Sequence, residues 1–502
     1  GKSKNCKWDE HVSVAVLPRA ALVGPFPARC APRRIVAMAS PVSPVVFAIA
    51  TGIGLLTDKY MLEATNYVEH YAVQMKPSHQ QTEFIKSAMY AGAIFGMVTM
   101  GPISDFIGRR ASLIACSVVT FVGAMLSVCA WSAEALIAAR IITGIGMGGE
   151  YPLASTHSAE SAKDADNGAR NVALLYLFGS GFGPALCGLV TYLLDLSGVP
   201  SHIIWRLIFA VGALLSLAGL VLRYFTTRNA KDFTKVKNPK GTRRNFVRYY
   251  WRPLLGTSLI WLLFDIVEYG LKQNDAAIFA ASTGGPYRDS VLMVLCQRLL
   301  SIPSLAFASW LLTRVRSKRV QMLGFIGCML ANLTLALGYS ELKGITILFN
   351  AVYLVQLSFQ SLPGVTTMAI SAEIFPSIVK GTGAGISAAS GKIGATFGSY
   401  FFTMLKEGGH VSDIFWTVTA TSAAALIATV LLTPSYNGTT LELAEELAND
   451  GQLEQAVKML YSGPQAPSNR TRAGDDQDAS DEETATNATE EGSSSFGGAA
   501  AQ

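Results

Sequence analysis

The sequence predicts an all-α membrane protein. Twelve transmembrane helices form two six-helix bundles, and a disordered acidic C-terminal tail follows. Three observations predict this. Half of the 502 residues are hydrophobic and only 15% are charged, where a soluble domain carries about 25% charge; mean hydropathy is +0.34. The apolar residues gather in runs of about 20, the length that crosses a bilayer core. The Lys and Arg residues gather in alternate loops, as they do in a chain threaded back and forth through a membrane.

The runs place spans near 45–67, 83–104, 111–132, 134–157, 171–195, 203–225, 254–280, 290–312, 320–339, 345–371, 382–405 and 412–433. The first is interrupted by Asp58, Lys59 and Glu63. The seventh carries Asp265 and Glu268 and fades near Lys272, and the eighth carries Arg298. Basic residues mark the loops after the second span (Arg109, Arg110), the sixth (Arg223 through Arg252) and the eighth (Arg314, Arg316, Lys318, Arg319). The positive-inside rule puts those loops and both termini in the cytoplasm.

The long basic loop divides the spans six and six. The organisation is a 1–43 extension, a 44–226 bundle, a 227–252 basic cytoplasmic linker, a 253–435 bundle and a 436–502 acidic cytoplasmic tail. The extension is disordered or a targeting segment. Its Arg19, Arg29, Arg33 and Arg34 loosely match a transit peptide, Asp9 and Glu10 do not, and Met38 is a plausible start. The tail opens with a short amphipathic helix, Thr439 to Leu460, then turns to Ser/Thr/Gly/Asp/Glu-rich sequence that cannot form a core. Asn437 and Asn487 fit the glycosylation sequon on a side where it goes unused. The seven cysteines are scattered, with no CxxC, so no metal site or disulfide framework is expected.

Chemistry enters with the ionisable residues inside the spans. Glu150 lies in an otherwise small and apolar segment. A carboxylate at that depth costs roughly 2.5–3.5 kcal/mol on insertion scales, and is kept where it faces a partner or a water-filled path. The segment therefore suggests a transporter with an ionisable group on its route. Arg140 is ten residues away, about 15 Å along a helix, so each needs a partner elsewhere. Gly144, Gly146, Gly148 and Gly149 allow close helix contact. Trp261, Asp265 and Tyr269 share one helix face at i, i+4 and i+8, and Glu268 points elsewhere, as a rim residue. Lys392 is read as the counter-charge of an anionic substrate or of Asp265. Asp58 is either a third carboxylate of the route or the partner of Lys59 or Arg140. His157 is read as a solvated helix-end residue.

Between the second and third spans stands Gly101-Pro102-Ile103-Ser104-Asp105-Phe106-Ile107-Gly108-Arg109-Arg110. Gly101 and Gly108 permit a tight turn. Asp105 can cap a helix or pair with an arginine. Arg109 and Arg110 anchor the loop at the cytoplasmic face. The segment resembles the G-x-x-x-D-x-x-G-R-R gating loop of the major facilitator superfamily. From about 45 to 435 the chain is similar to the phosphate:proton symporter family within it. Gly148-Gly149-Glu150-Tyr151-Pro152-Leu153 is similar to G-G-D-Y-P-L, Trp261/Asp265/Tyr269 to W-x-x-x-D-x-x-x-Y, Ser387–Ala395 to I-S-A-A-S-G-K, and Glu373-Ile374-Phe375-Pro376 to E-V-F-P.

The resemblance implies substrate contacts at Tyr151, Trp261, Asp265 and Tyr269, and proton coupling at Asp58, Arg140 and Glu150. Three positions depart from the pattern. Met61 replaces an aspartate, Phe178 a glutamine, and Gly364 the second asparagine of N-F-G-P-N.

The expected activity is proton-coupled uptake of a small anion, phosphate first, by alternating access. Lys392 joins the substrate site and Asp265 joins the proton carriers. Partners are the anion, protons and the lipid bilayer, with no nucleic acid and no cofactor. The plasma membrane is the first expectation and an organelle membrane the second. The rivals are a transporter of sugar or another organic solute, which would want more Asn and Gln in the site, and a nutrient receptor signalling through its tail. No Ser/His/Asp set, metal cluster or phosphate loop supports an enzyme.

Overall fold

The computed structural model describes residues 44–72, 75, 78–162, 167–226, 239–272, 287–342 and 345–462; readings made on other residues lie outside these. The described part is built of helices: α1 Pro44–Tyr71, α2 His79–Ile107, α3 Arg109–Cys129, α4 Ala133–Glu160, α5 Gly168–Leu196, α6 Ser201–Thr226, α7 Pro239–Lys272, α8 Tyr287–Leu311, α9 Ser317–Leu342, α10 Thr346–Glu373, α11 Lys380–Glu407, α12 Val411–Leu432, α13 Gly438–Asn449 and α14 Leu453–Ser462.

Eight of these, among the described residues, are long and apolar enough to cross a membrane: α2, α3, α5–α9 and α12. The long helices that fall short are α1, α4, α10 and α11. They carry the interior polar groups Asp58, Lys59, Glu63, Arg140, Glu150, Gln356, Gln360 and Lys392, all buried. Those groups face protein rather than lipid, while α10 and α11 still present apolar side chains such as Ile347, Val355, Ile393 and Phe397 on their outer faces.

Local sequence sets the helix ends. Ser78 and Gln81 form a reciprocal capping box at the start of α2, and Ser132 accepts from the Ala135 N–H at the start of α4; each satisfies N–H groups that a first turn leaves open. Gly108, at φ 91°, makes the turn from α2 to α3 in a region that other residues rarely adopt.

Helices α1–α6 pack chiefly on one another, as do α7–α12; α2 with α11 and α5 with α8 are the main contacts between the two sets. Small residues bring the inner helices close. Gly144 and Gly148 of α4 lie against the Met89 and Ala93 carbonyls of α2. Gly394 and Gly398 of α11 lie against the Leu262 and Ile266 carbonyls of α7. Without a hydrophobic drive between helices in lipid, such close packing holds them together.

Two expectations change here. Residues 239–252 of the basic linker are helical and continue into α7, with a kink at Tyr250 (φ −92°, ψ 16°). Pro253 causes it by removing the hydrogen bond to the 249 carbonyl.

The short amphipathic helix expected over Thr439 to Leu460 is present, but it is broken in two and packed on the bundle. That stretch is two helices, α13 and α14, with Gly451 at φ 85° between them. Their Ala444, Ala448, Leu453, Ala456 and Leu460 pack on Phe246, Tyr250, Ile374 and Phe375. The Glu445 carboxylate accepts the Ser377 N–H at 3.0 Å. Tyr461 donates to the Leu432 carbonyl at 2.5 Å; burial pushes its phenol up to about 12, so it remains a donor at neutral pH. Asn437, read as a sequon, caps α13 by accepting from the Thr440 N–H at 2.9 Å.

Candidate functional site

At the centre, α7 and α11 bring Asp265 and Lys392 together as a buried ion pair, Nζ to Oδ2 2.8 Å. The helical stripe holds: Lys392 Nζ lies 4.0 Å from the Tyr269 ring and 5.6 Å from the Tyr151 ring. Trp261 sits 6.0 Å from Tyr151 and rests on Gly391, where a Cβ would overlap it. The five residues expected to contact substrate, Tyr151, Trp261, Asp265, Tyr269 and Lys392, therefore form one cluster. A cation beside aromatic faces gains electrostatic attraction from the rings, more so when desolvated.

A sixth member was missed. Lys59 of α1 donates to the Tyr269 hydroxyl at 2.9 Å and lies 5.3–5.7 Å from the rings of Tyr151, Tyr176 and Tyr269. Among the described residues it forms no ion pair with a carboxylate. The sequence offered Asp58 next to it, and sequence neighbours on a helix point about 100° apart. Lys59 thus adds a second cation beside the Asp265–Lys392 pair, with Glu268 nearby but paired to Lys272.

Tyr176 was missed for a different reason. The sequence reading followed Phe178, two residues on and about 200° around the helix, at the start of a π-helical stretch, Leu177–Phe182. Phe178, at the glutamine position, packs on Gly52 and Phe182 instead. Tyr176 faces the cluster, and its hydroxyl stands 2.7 Å from where a side chain at Gly364 would begin. The hydroxyl fills the space that the missing asparagine would have used.

A second group of charges lies between α1, α3, α4 and α6. Glu150 pairs with Arg223 at 2.7 Å, and Ser117 accepts from Arg223 at 2.8 Å. Arg223, counted from sequence as a loop charge, is buried in the last turn of α6. A Cβ at Gly54 would overlap both Glu150 and Arg223. Asp58, one turn further along α1, is buried, and neither carboxylate oxygen has a hydrogen-bond partner among the described residues; it pairs with neither Lys59 nor Arg140.

Arg140 stands apart from both acids. It donates to the Met61 carbonyl at 2.6 Å, to Thr65 and to Met89 Sδ at 2.8 Å, and stacks on Phe209. With methionine in place of the aspartate, the guanidinium uses main-chain and hydroxyl acceptors. His157 is buried rather than solvated. Glu268 is buried beside Lys272, with which it pairs, rather than at a rim.

The gating-loop residues reach across to α11. Asp105 accepts from the Gly381 N–H at 3.0 Å, and from the Thr382 N–H at 2.8 Å and hydroxyl at 2.6 Å. It thereby serves the open N–H groups at the start of α11. It also pairs with Arg109 at 2.8 Å. Gly101 lies against the Gly381 carbonyl. Arg109, expected as a surface anchor, is buried; it pairs with Glu160 at 3.1 Å and donates to the Ser377 carbonyl at 3.3 Å. Arg110 is the exposed one and donates to the Tyr224 carbonyl. At the opposite end, Glu63–Arg298 at 3.4 Å, Asp195–Arg288 at 2.8 Å and stacked His70 and Tyr287 join the same two helix sets. Bridges thus close both ends around the central cluster.

The family described as "Sugar (and other) transporter" matches residues 46–237 and 286–448. Inorganic phosphate transporter PT2 of Toxoplasma gondii is 30% identical over 69% of this chain, which spans 63% of that relative's length. Glycerophosphoinositol permease 1 of Candida albicans is 25% identical, covering 88% of both chains. Probable inorganic phosphate transporter 1-6 of Arabidopsis thaliana is 26% identical over 83% of this chain and 95% of that one. Among solved structures, the major facilitator proton:xylose symporter XylE bound to 6-bromo-6-deoxy-D-glucose has a TM-score of 0.70 at 18% identity, over 80% of this chain and 98% of that one. The human organic anion transporter MFSD10 gives 0.59 at 14% identity, over 77% and 98%. The chain therefore belongs to the sugar (and other) transporter family: it is a multi-pass membrane transporter with the major facilitator fold.

Proposed function

We propose that the protein takes up a phosphate-like anion together with protons by alternating access. In this reading twelve spans form two bundles, 44–226 and 253–435, which rock about the central cluster. The observation that carries it is the buried Asp265–Lys392 pair with Lys59 close by. Two lysines facing one carboxylate attract an anion. An anion bound at Lys392 takes the place of the Asp265 carboxylate, and Asp265 then accepts a proton, because a buried carboxylate without a counter-charge is too costly to keep ionised. Anion and proton therefore bind together, which is symport. The bridges at the two ends would break alternately.

The names of the Toxoplasma and Arabidopsis relatives support phosphate. A sugar site would favour neutral amides, and this cluster is built of charges and phenols. The test is uptake of labelled phosphate against labelled hexose in vesicles, with and without an inward proton gradient. We expect phosphate to accumulate only with the gradient; hexose accumulation without phosphate uptake would overturn the reading.

We further propose that both termini and the 227–252 segment face the cytoplasm, from the Lys/Arg asymmetry of the loops, with the plasma membrane as the site of action. Tags at the ends and in that segment should be protected from impermeant reagents in intact cells. External labelling of the segment would reverse the orientation.

A further inference from the structure

A polar cavity of about 400 Å³ lies at the turn from α8 to α9, at the end of the molecule that carries the gating loop. Its volume is in the range of small-ligand sites. Three parts of the chain wall it. Arg314 and Arg316 of the turn stand with Glu373 at the end of α10; Ala169 comes from the first turn of α5; Tyr436 and Asn437 come from the start of the tail.

The charge of this wall is unmatched. Elsewhere at this end, Arg109 and Arg223 pair with carboxylates, and Arg252 and Lys318 donate to main-chain carbonyls. Arg314 and Arg316 form no ion pair among the described residues; Arg314 has only the face of Trp310, 5.9 Å away. The acid in the wall is engaged elsewhere. Glu373 Oε2 accepts from the Tyr436 hydroxyl at 3.1 Å, and Oε1 lies against Gly168, where a Cβ would overlap it. The Asn437 side chain is used as the cap of α13. Two guanidiniums therefore line one cavity without a counter-charge. Their planar N–H forks match the oxygens of a phosphate group.

The cavity also joins the two helix sets. Gly168 and Ala169 belong to the first, and Glu373 and the α8–α9 turn to the second. It is complete only while this end is closed. A ligand that binds one of two conformations better shifts the population toward that one.

We infer that this cavity is a regulatory site for a phosphate group, held by Arg314 and Arg316, whose occupant keeps the cytoplasmic end shut and slows uptake. This rests on the alternating-access reading above. The phosphate group belongs either to a soluble compound or to a lipid headgroup at the membrane edge.

The test compares the full chain with the double variant Arg314→Ala/Arg316→Ala. Both side chains are exposed, so folding and basal uptake of labelled phosphate should be the same in the two forms. One probe is inorganic pyrophosphate, placed on both sides of phosphatidylcholine vesicles so that mixed orientation does not matter. The other is phosphatidic acid, built into the vesicles at roughly one-tenth of the lipid. Pyrophosphate or phosphatidic acid should slow uptake about fivefold in the full chain and leave the variant unaffected; whichever acts identifies the source. In detergent, pyrophosphate or short-chain phosphatidic acid at saturation should raise the melting point of the full chain by roughly 3 °C, and that of the variant should not move. Equal inhibition of both forms would place the probe at the central cluster and overturn the inference. So would a melting shift without slowed uptake, or no effect of either probe. Absence of phosphate uptake by both forms without any probe would instead remove the transport reading, and the melting points would still decide whether Arg314 and Arg316 hold a phosphate group.

Discussion

Lys392→Ala should reduce anion uptake by roughly 100-fold or more, because losing one member of a buried, hydrogen-bonded charge contact costs about 2–5 kcal/mol or above. Lys392 has two jobs: it neutralises Asp265 at 2.8 Å and, in the proposed cycle, holds the anion. The single variant therefore also strands a buried carboxylate, which destabilises by roughly 3–5 kcal/mol. Lys392→Ala combined with Asp265→Asn separates the two effects. The double variant removes both charges, so it should recover folding and still fail to take up phosphate. Lys392→Arg keeps the charge and should raise KM less, by roughly tenfold on the same scale. Asp265→Asn alone should weaken anion binding and flatten the response to a proton gradient. A folded double variant with an unaltered phosphate KM would remove Lys392 from the site.

The sequence showed this cluster well because its residues lie on regular helix faces. Trp261, Asp265 and Tyr269 are spaced by four, and Lys392 is the one cation in a run of small residues. One reading of Lys392 made it the counter-charge of Asp265, and the structure pairs them. The misses have separate causes. Tyr176 and Phe178 are two residues apart and so point to opposite sides of their helix, and the sequence reading followed Phe178. Arg223 lies inside the expected 203–225 span but was counted with the loop charges, although it is buried.

Arg109 shows a limit of charge counting. A basic pair at a loop satisfies the positive-inside pattern whether its members are solvated or not. Only packing reveals that Arg109 joins Asp105 and Glu160 while Arg110 faces out. Eight of the expected spans coincide, among the described residues, with helices long and apolar enough to cross a membrane. The order in 438–462 rests on contacts with residues about 65 to 210 positions earlier in the chain, which no local pattern reports.

Asp58→Asn should abolish gradient-driven accumulation and leave substrate exchange at equilibrium intact. The group beside α1 holds two carboxylates, Asp58 and Glu150, and one guanidinium, Arg223. Arg223 is matched by Glu150 at 2.7 Å, and Asp58, one turn from the contact of Gly54 with that pair, is buried without a hydrogen-bond partner among the described residues. Two carboxylates near one guanidinium cannot both stay ionised in a low-dielectric interior, so one holds a proton. In the proposed cycle the proton is carried by the acid without a hydrogen-bond partner, Asp58. Its neighbour in sequence, Lys59, reaches the central cluster, so a shift of α1 moves the proton site and the anion site together. Glu150→Gln should also lose gradient-driven uptake. It leaves Arg223 buried without its ion-pair partner, however, at a cost of roughly 3–5 kcal/mol, so its folded yield should fall. Asp58→Asn leaves that pair in place and is the cleaner probe. Counterflow measured beside gradient-driven uptake in the same vesicles distinguishes coupling from binding. Full accumulation by Asp58→Asn would exclude this acid, and if Glu150→Gln also accumulates fully, the coupling proton must be carried by Asp265.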